Sequence, residues 1–246
     1  CLNAGQWCAF DCLHMEEKYE KFAYSTYFGF NVQTGVCGLD RQAPDNILML
    51  SEGDEYYRGK RQSFDQEVGD GYLSCKWKPW HDVSVQSWLV PLMPWDLRIH
   101  RIVSKRALWS AEGAFPVPVT DLSHYTPEDF MESSDDLAFF QEAKGVSGLL
   151  GLPVNGASRK GEVIFATPNA NLIHQRTAIP VLRGRHSAGE FWLASLVMAN
   201  PDTEKGLAAW ANRPSIENIL ERVPKTIRGL LSFPLPPQGA DRRTHE

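Results

Sequence analysis

Residues 166–182 read ATPNANLIHQRTAIPVL, and Asn169, Asn171, His174 and Arg176 within them are side-chain types able to line a sugar-binding cleft. If the stretch is extended, His174 and Arg176 share a parity and emerge on one face, where together they could hold an anionic sugar. A framework reading stands beside that one. After Pro168 the two Asn residues suit turn positions, and His174 and Arg176 could pair internally with acids. A second constellation is His81 beside Asp82, just after Trp80, because a carboxylate raises an imidazole toward working pH. Adjacent strand residues point to opposite faces, so that pair requires a turn or bulge, and Asp82 as a plain turn residue is the simpler account. Glu112 in SAEGAF and Glu190 are possible carboxylates for glycoside chemistry, which needs two such groups about 5–10 Å apart.

A third group comes from three consecutive segments, YLSCKWK, VSVQSWLV and WDLRIHRIV. Their apolar residues alternate: Leu73, Cys75 and Trp77, then Val83, Val85 and Leu89, then Trp95, Leu97, Ile99 and Val103. Period two predicts strands that each bury one face. The connections KPWHD and PLMP are short enough for an antiparallel meander. Opposite faces then carry Ser74, Lys76 and Lys78, next Ser84, Gln86 and Trp88, and last Asp96, Arg98 and His100. That predicts one basic face on which Lys76, Lys78, Arg98 and His100 attract a carboxylate-bearing glycan while Trp88 or Trp80 stacks on a sugar ring. Plain solvation, or cover by another domain, explains the same face. On this parity Leu97→Ala is costly and Arg98→Ala cheap. The alternation slips between His100 and Ile102, which predicts a β-bulge near Arg101.

These strands must sit in something large enough to hold them. The chain has 246 residues, 43% hydrophobic and 22% charged, which suits one globular β domain with ragged ends. No apolar run approaches the roughly 20 residues of a membrane span, so no membrane partner is expected. A formal net charge of −5 argues against a nucleic-acid partner, which calls for clustered Lys and Arg. Five cysteines, an odd and thin set, fit reduced thiols and hence an intracellular, cytoplasmic setting. Cys8, Cys12 and His14 lack a second ligand pair at zinc spacing, so neither a metal nor another cofactor is expected. The start at Cys1 reads as that of a fragment.

The N-terminal stretch WCAFDCLHMEEKYEKFAY has apolar residues near helical spacing and predicts a leading helix, giving a helical lead-in over 1–26. From Tyr27 short apolar runs broken by Gly, Pro, Asn and Asp predict a mainly β fold, an antiparallel β-sandwich over 27–200. FWLASLVMA is apolar on both faces, as in a strand at the middle of a sandwich. HYTPEDFMESSDD reads as an exposed loop with one helical turn. A short helical extension over 201–232 includes PSIENILERV, with Ser215 as N-cap. The Pro-rich, then charged tail 233–246 is expected to be disordered.

Four ordered motifs, KYEKFAYSTYFGFNV, SCKWKPWHDVSVQSWLVPLMPWDLRIHRI, SAEGAF and NANLIHQRTAIPVLRG, together resemble the C-terminal half of the domain-of-unknown-function 2264 family. The resemblance covers roughly residues 16–200. It implies an α/α toroid followed by a β-sandwich, as in polysaccharide lyases and some glycoside hydrolases. The implied function is that of a C-terminal module of a carbohydrate-active enzyme, a glycoside hydrolase acting on uronic-acid glycans. A polysaccharide lyase module, a non-catalytic carbohydrate-binding module and a structural brace are the alternatives. The implied partner is the N-terminal toroid, which is not among these residues and which supplies the main catalytic groups in such enzymes. The fragment alone is therefore expected to be inactive, and His81, His174 and Arg176 are weak catalytic candidates.

Overall fold

The computed structural model describes residues 23–26, 47–51, 64–115, 117–119, 131–142, 145–154, 158–166 and 177–231. Two antiparallel sheets dominate. The smaller runs in the order β1 (Ala23–Thr26), β2 (Ile47–Ser51), β7 (Leu108–Gly113), β13 (Thr177–His186) and β12 (Lys160–Ala166), with β8 (Val117–Pro118) also on β13. The larger runs β3 (Phe64–Gly69), β4 (Tyr72–Trp80), β5 (Val83–Pro91), β6 (Asp96–Ser104), β14 (Gly189–Asn200), β11 (Gly145–Gly151), β10 (Leu137–Glu142) and β9 (Met131–Ser134). Their inner faces meet in a sandwich. Leu48, Leu50 and Leu108 of the small sheet lie in one cluster with Cys75, Val83, Val85, Leu89, Ile102 and Leu193 of the large one. A second cluster joins Ala114 and Leu182 to Ala138, Leu149 and Val197.

The expected meander β4–β5–β6 is present, and the central, doubly buried strand in FWLASLVMA is β14, between β6 and β11. The inner face of β4 and β5 is the predicted one, with Cys75, Val83, Val85 and Leu89 all buried there. β6 overturns the expectation. Its register sets His100 opposite Ser87 and Ile99 opposite Trp88, so Arg98 and His100 share the inner side with Cys75 and Ile102. The predicted single basic face is therefore wrong: Lys76, Lys78 and Trp88 lie on one side of the sheet, Arg98 and His100 on the other. Pairing of β6 with β5 and β14 is continuous, so no bulge interrupts Arg101. The register shift falls instead between Trp77 and Trp80.

Leu97 and Ile99 are buried as expected, but beneath helices. α1 (Thr203–Ala211), α2 (Ile216–Arg222) and α3 (Lys225–Arg228) follow β14 and close over its outer side. Trp88, Val90, Trp95, Leu97, Ile99, Leu196 and Met198 form a second core there with Trp210, Ile219, Val223 and Ile227. Asp202 and the predicted Ser215 cap the first two helices, each accepting a backbone N–H three residues on. Trp210 stacks on Phe139 at 4.4 Å and on Trp95 at 5.7 Å between ring centroids. Two glycines permit this close seat. A Cβ at Gly148 in β11 would run into the Trp210 ring, and one at Gly206 in α1 would run into Val146.

The predicted leading helix fares differently. Residues 1–22 lie outside the described residues, while Ala23 and Tyr24, its expected end, belong to β1, paired with β2. The strand thus also falls inside the expected helical lead-in. MESS, expected in an exposed loop, forms the edge strand β9 on β10, with its last three residues exposed. The tail 233–246 lies outside the described residues. Among the described residues no helix is long and apolar enough to cross a membrane.

Candidate functional site

The chemistry-bearing side chains gather in the middle of the sandwich. Glu112 projects from β7 toward the large sheet and is fully buried. Its Oε2 accepts from Arg159 Nη1 at 2.7 Å and from Ser195 Oγ at 2.5 Å. Arg159, just before β12, reaches across to β14, where Nη2 donates to the Ala194 carbonyl and to Ser195 Oγ, both at 2.8 Å. Arg98 makes the reverse crossing, Nη1 donating to the Gly113 carbonyl at 2.9 Å. The other Glu112 oxygen lies 3.7 Å from His100 Nε2 and 3.9 Å from Arg98 Nη1.

The electrostatics follow from this enclosure. Burial alone would raise the Glu112 carboxyl, but His100, Arg159 and Arg98 around it hold it well below the carboxylate range. Burial pushes His100 down, assisted by Arg98 and Arg159 and opposed by Glu112. A neutral His100 accepts the Ser87 hydroxyl at Nδ1, 2.8 Å away, and turns its Nε2–H toward Glu112. His186, also pushed down by burial and by Arg159, to about 4, pairs through Nε2 with Ser110 Oγ at 2.8 Å. It stacks on Phe191 at 4.2 Å.

Ser87, His100 and Glu112 thus line up in the order of a nucleophile, base and orienting acid. Two features deny them that use. A nucleophile must meet substrate, yet Ser87 and His100 are both 0% exposed. The 3.7 Å gap to Glu112 also exceeds a hydrogen bond. What the arrangement does is tie the sheets together through charge-assisted bonds.

The outer side of the large sheet carries a different set. Register places Lys76, Gln86, Arg101 and Trp192 in one row across β4, β5, β6 and β14. Trp192 stacks on Trp88 at 5.8 Å with 8° between planes. Glu190 binds both Arg101, Nη2 to Oε2 at 2.6 Å, and the Trp192 indole N–H, at 2.9 Å. Those two hydrogen bonds, Arg101 first, hold the Glu190 carboxyl below its ordinary value.

The predicted site residues scatter. Lys76 and Lys78 are exposed on the outer side, and Trp88 there is buried under the helices. Arg98 and His100 sit inside, sealed from any glycan in this structure. The side chain of Trp80 lies outside what is described, although its backbone ends β4. His81 is exposed, 4.0 Å from Asp82, whose closer partner is Arg106 at 2.8 Å, so Asp82 serves the turn rather than an acid–base pair. Asn169, Asn171, His174 and Arg176 lie outside the described residues. Glu112 and Glu190 occupy opposite sides of the large sheet and form no glycosidase pair. Arg159, Ser195, Arg101 and Trp192 escaped the sequence reading. The slip in alternation at Arg101 was the one signal available, and it marks the edge of the helix cover rather than a bulge. Among the described residues no group of three or more His, Cys, Asp or Glu could hold a metal ion, and Cys75 is buried in the core between the sheets.

A two-sheet antiparallel β-sandwich with a charged interior and helices over one outer side is the class these features define. The chain belongs to the DUF2264 C-terminal domain family, whose pattern matches residues 1–223. Among solved structures it is distantly similar to the heparan sulfate lyase HepC from Pedobacter heparinus, at 14% identity and TM-score 0.39 over 58% of this chain and 22% of that one. It is also similar to the heparinase III BT4657 gene product, at 9% identity and TM-score 0.41 over 79% of this chain and 37% of that one. The chain thus spans well under half the length of these proteins. No curated protein matches it.

Proposed function

We propose that the chain is a bracing β-sandwich module of a carbohydrate-active protein, with the bond-breaking groups carried by a partner α/α toroid. One observation carries this reading. Glu112, Arg98, His100 and Arg159, the groups best suited to acid–base and anion chemistry, are spent on joining the two sheets. Cleaving a glycosidic bond needs acid and base groups placed around an accessible sugar, and a misplacement of an ångström can cost about a hundredfold. A rigid sandwich gives a toroid a fixed wall. The resemblance carried by the four sequence motifs supports the carbohydrate context, with uronic-acid glycans as the substrate class and either hydrolysis or elimination as the reaction.

The test is turnover. The 246-residue chain is assayed on uronic-acid oligosaccharides for new reducing ends and for unsaturated products, with and without an upstream toroid. Activity is expected only with the toroid. Robust cleavage by the chain alone overturns the bracing role and turns attention to His81, His174 and Arg176.

A further inference from the structure

The outer side of the large sheet is divided in two. Its apolar half, from Trp88 through Leu97 and Ile99 to Met198, is sealed by the C-terminal helices. The other half stays open: Lys76, Lys78 and Glu190 are exposed, while Gln86, Arg101 and Trp192 are half-buried. Strands about 4.8 Å apart put Lys76 and Trp192, three strands from each other, roughly 14 Å apart. The row between them therefore has the reach of a short oligosaccharide.

Each member offers something a sugar acid can use. The indole of Trp192 is held in place by its stack on Trp88 and its bond to Glu190, so its orientation is set before a ligand arrives. Arg101 is fixed by Glu190 through Nη2, and a guanidinium has five donors in a fork that matches a carboxylate. Gln86 stands between Arg101 and Lys76 with an amide that can both give and accept. Lys76 and Lys78 add two exposed cations. Of the acids on this side, Glu190 is already engaged by Arg101 and the indole, while Asp65 is the register partner of Lys76 and the exposed Glu67 that of Ser74.

We propose that this open half-face binds a uronate-bearing oligosaccharide laid across the strands, its carboxylates toward Arg101 and Lys76 and one ring against Trp192. The inference rests on the carbohydrate reading above and gives it a location. The surface feeds or holds polymer; it does not cut it.

The test is calorimetry on the full chain with a uronate tetrasaccharide and its carboxyl-reduced neutral counterpart. Binding to the uronate should be at least about tenfold tighter and should weaken with salt, since exposed charges are screened. The double variant Lys76→Glu, Arg101→Gln should lose at least about tenfold in uronate affinity while its thermal midpoint stays close to that of the parent. Lys160→Glu, on the small sheet, should change nothing. Equal affinity for both sugars, or an unaltered double variant, overturns the site. Absence of any binding also overturns it, yet leaves the bracing role intact, because that role is read from turnover with the toroid. A double variant that melts early is replaced by Lys76→Glu, Lys78→Glu, for which the same loss is expected and an unchanged affinity is again fatal.

Discussion

The two sides of β6 invert the usual arrangement. Its polar side, Arg98 and His100, faces the other sheet and is completely sealed; its apolar side, Leu97 and Ile99, faces outward and owes its burial to helices that arrive a hundred residues later. Both sides lie dry, by different means. The inner one is held by directional bonds that cross between sheets, and the outer one by area removed from water. Alternation in a strand therefore reports that two sides differ without saying which of them is the interior.

Removing the hub of the inner side should have the largest effect. Glu112→Gln leaves Arg159 and Arg98 buried without their counter-charge and should destabilise by about 3–5 kcal/mol in chemical denaturation. A loss below about 1 kcal/mol would show the cluster to be passive filling. The outer side is probed by Leu97→Ala, expected to cost about 3 kcal/mol through the cavity left under the helices. Arg98→Ala, cheap on the sequence parity, should now rival it.

Acidity separates the charged residues of the interior more finely. Burial lifts Asp96 from 3.8 to about 7 against the pull of Arg98. Between those values the folded chain holds a proton that the unfolded chain has released, so this group makes stability fall as pH rises from about 4 to 7. His186 runs the other way. Its folded value of about 4 lies below the ordinary 6.5, so the unfolded chain takes up the proton first and stability falls as pH drops through that window. His100, pushed down by burial, has the same sign. Asp96→Asn should thus stabilise at pH 8 by roughly 1–3 kcal/mol and do little at pH 3. Denaturation midpoints at both pH values decide it; equal shifts would mean that Asp96 does not titrate in this range. Smallest of all, His81→Ala should stay within about 0.5 kcal/mol, because that imidazole is 85% exposed and its neighbour Asp82 is committed to Arg106.

Much of the strand order was legible because it is local. The β4–β5–β6 meander follows from short turns and period two, β14 from apolar residues on both parities, and the Ser215 cap from a hydroxyl ahead of an amphipathic run. The side taken by Arg98 and His100 was illegible because its cause is distant in the chain. A buried guanidinium is tolerable only where a carboxylate and carbonyls meet it, and those are Glu112 and Gly113, on a strand of the other sheet. Lys and Arg on alternate positions otherwise read as a wet surface. The candidate surface row was hidden for a related reason. Lys76, Gln86, Arg101 and Trp192 come together only through the registers of three strand pairs, one of them joining β6 to β14 across eighty intervening residues.

The seat of α1 has a consequence for how the module can change. Trp210 enters the gap at Gly148 while Val146 enters the gap at Gly206, so helix and sheet meet like a plug with two pins facing opposite ways. Sliding the helix by one turn would present filled positions to both pins at once. There is consequently one docking position and no graded approach to it: the helical cover is fitted or it is off, and when it is off the whole apolar side of β6 stands open to water.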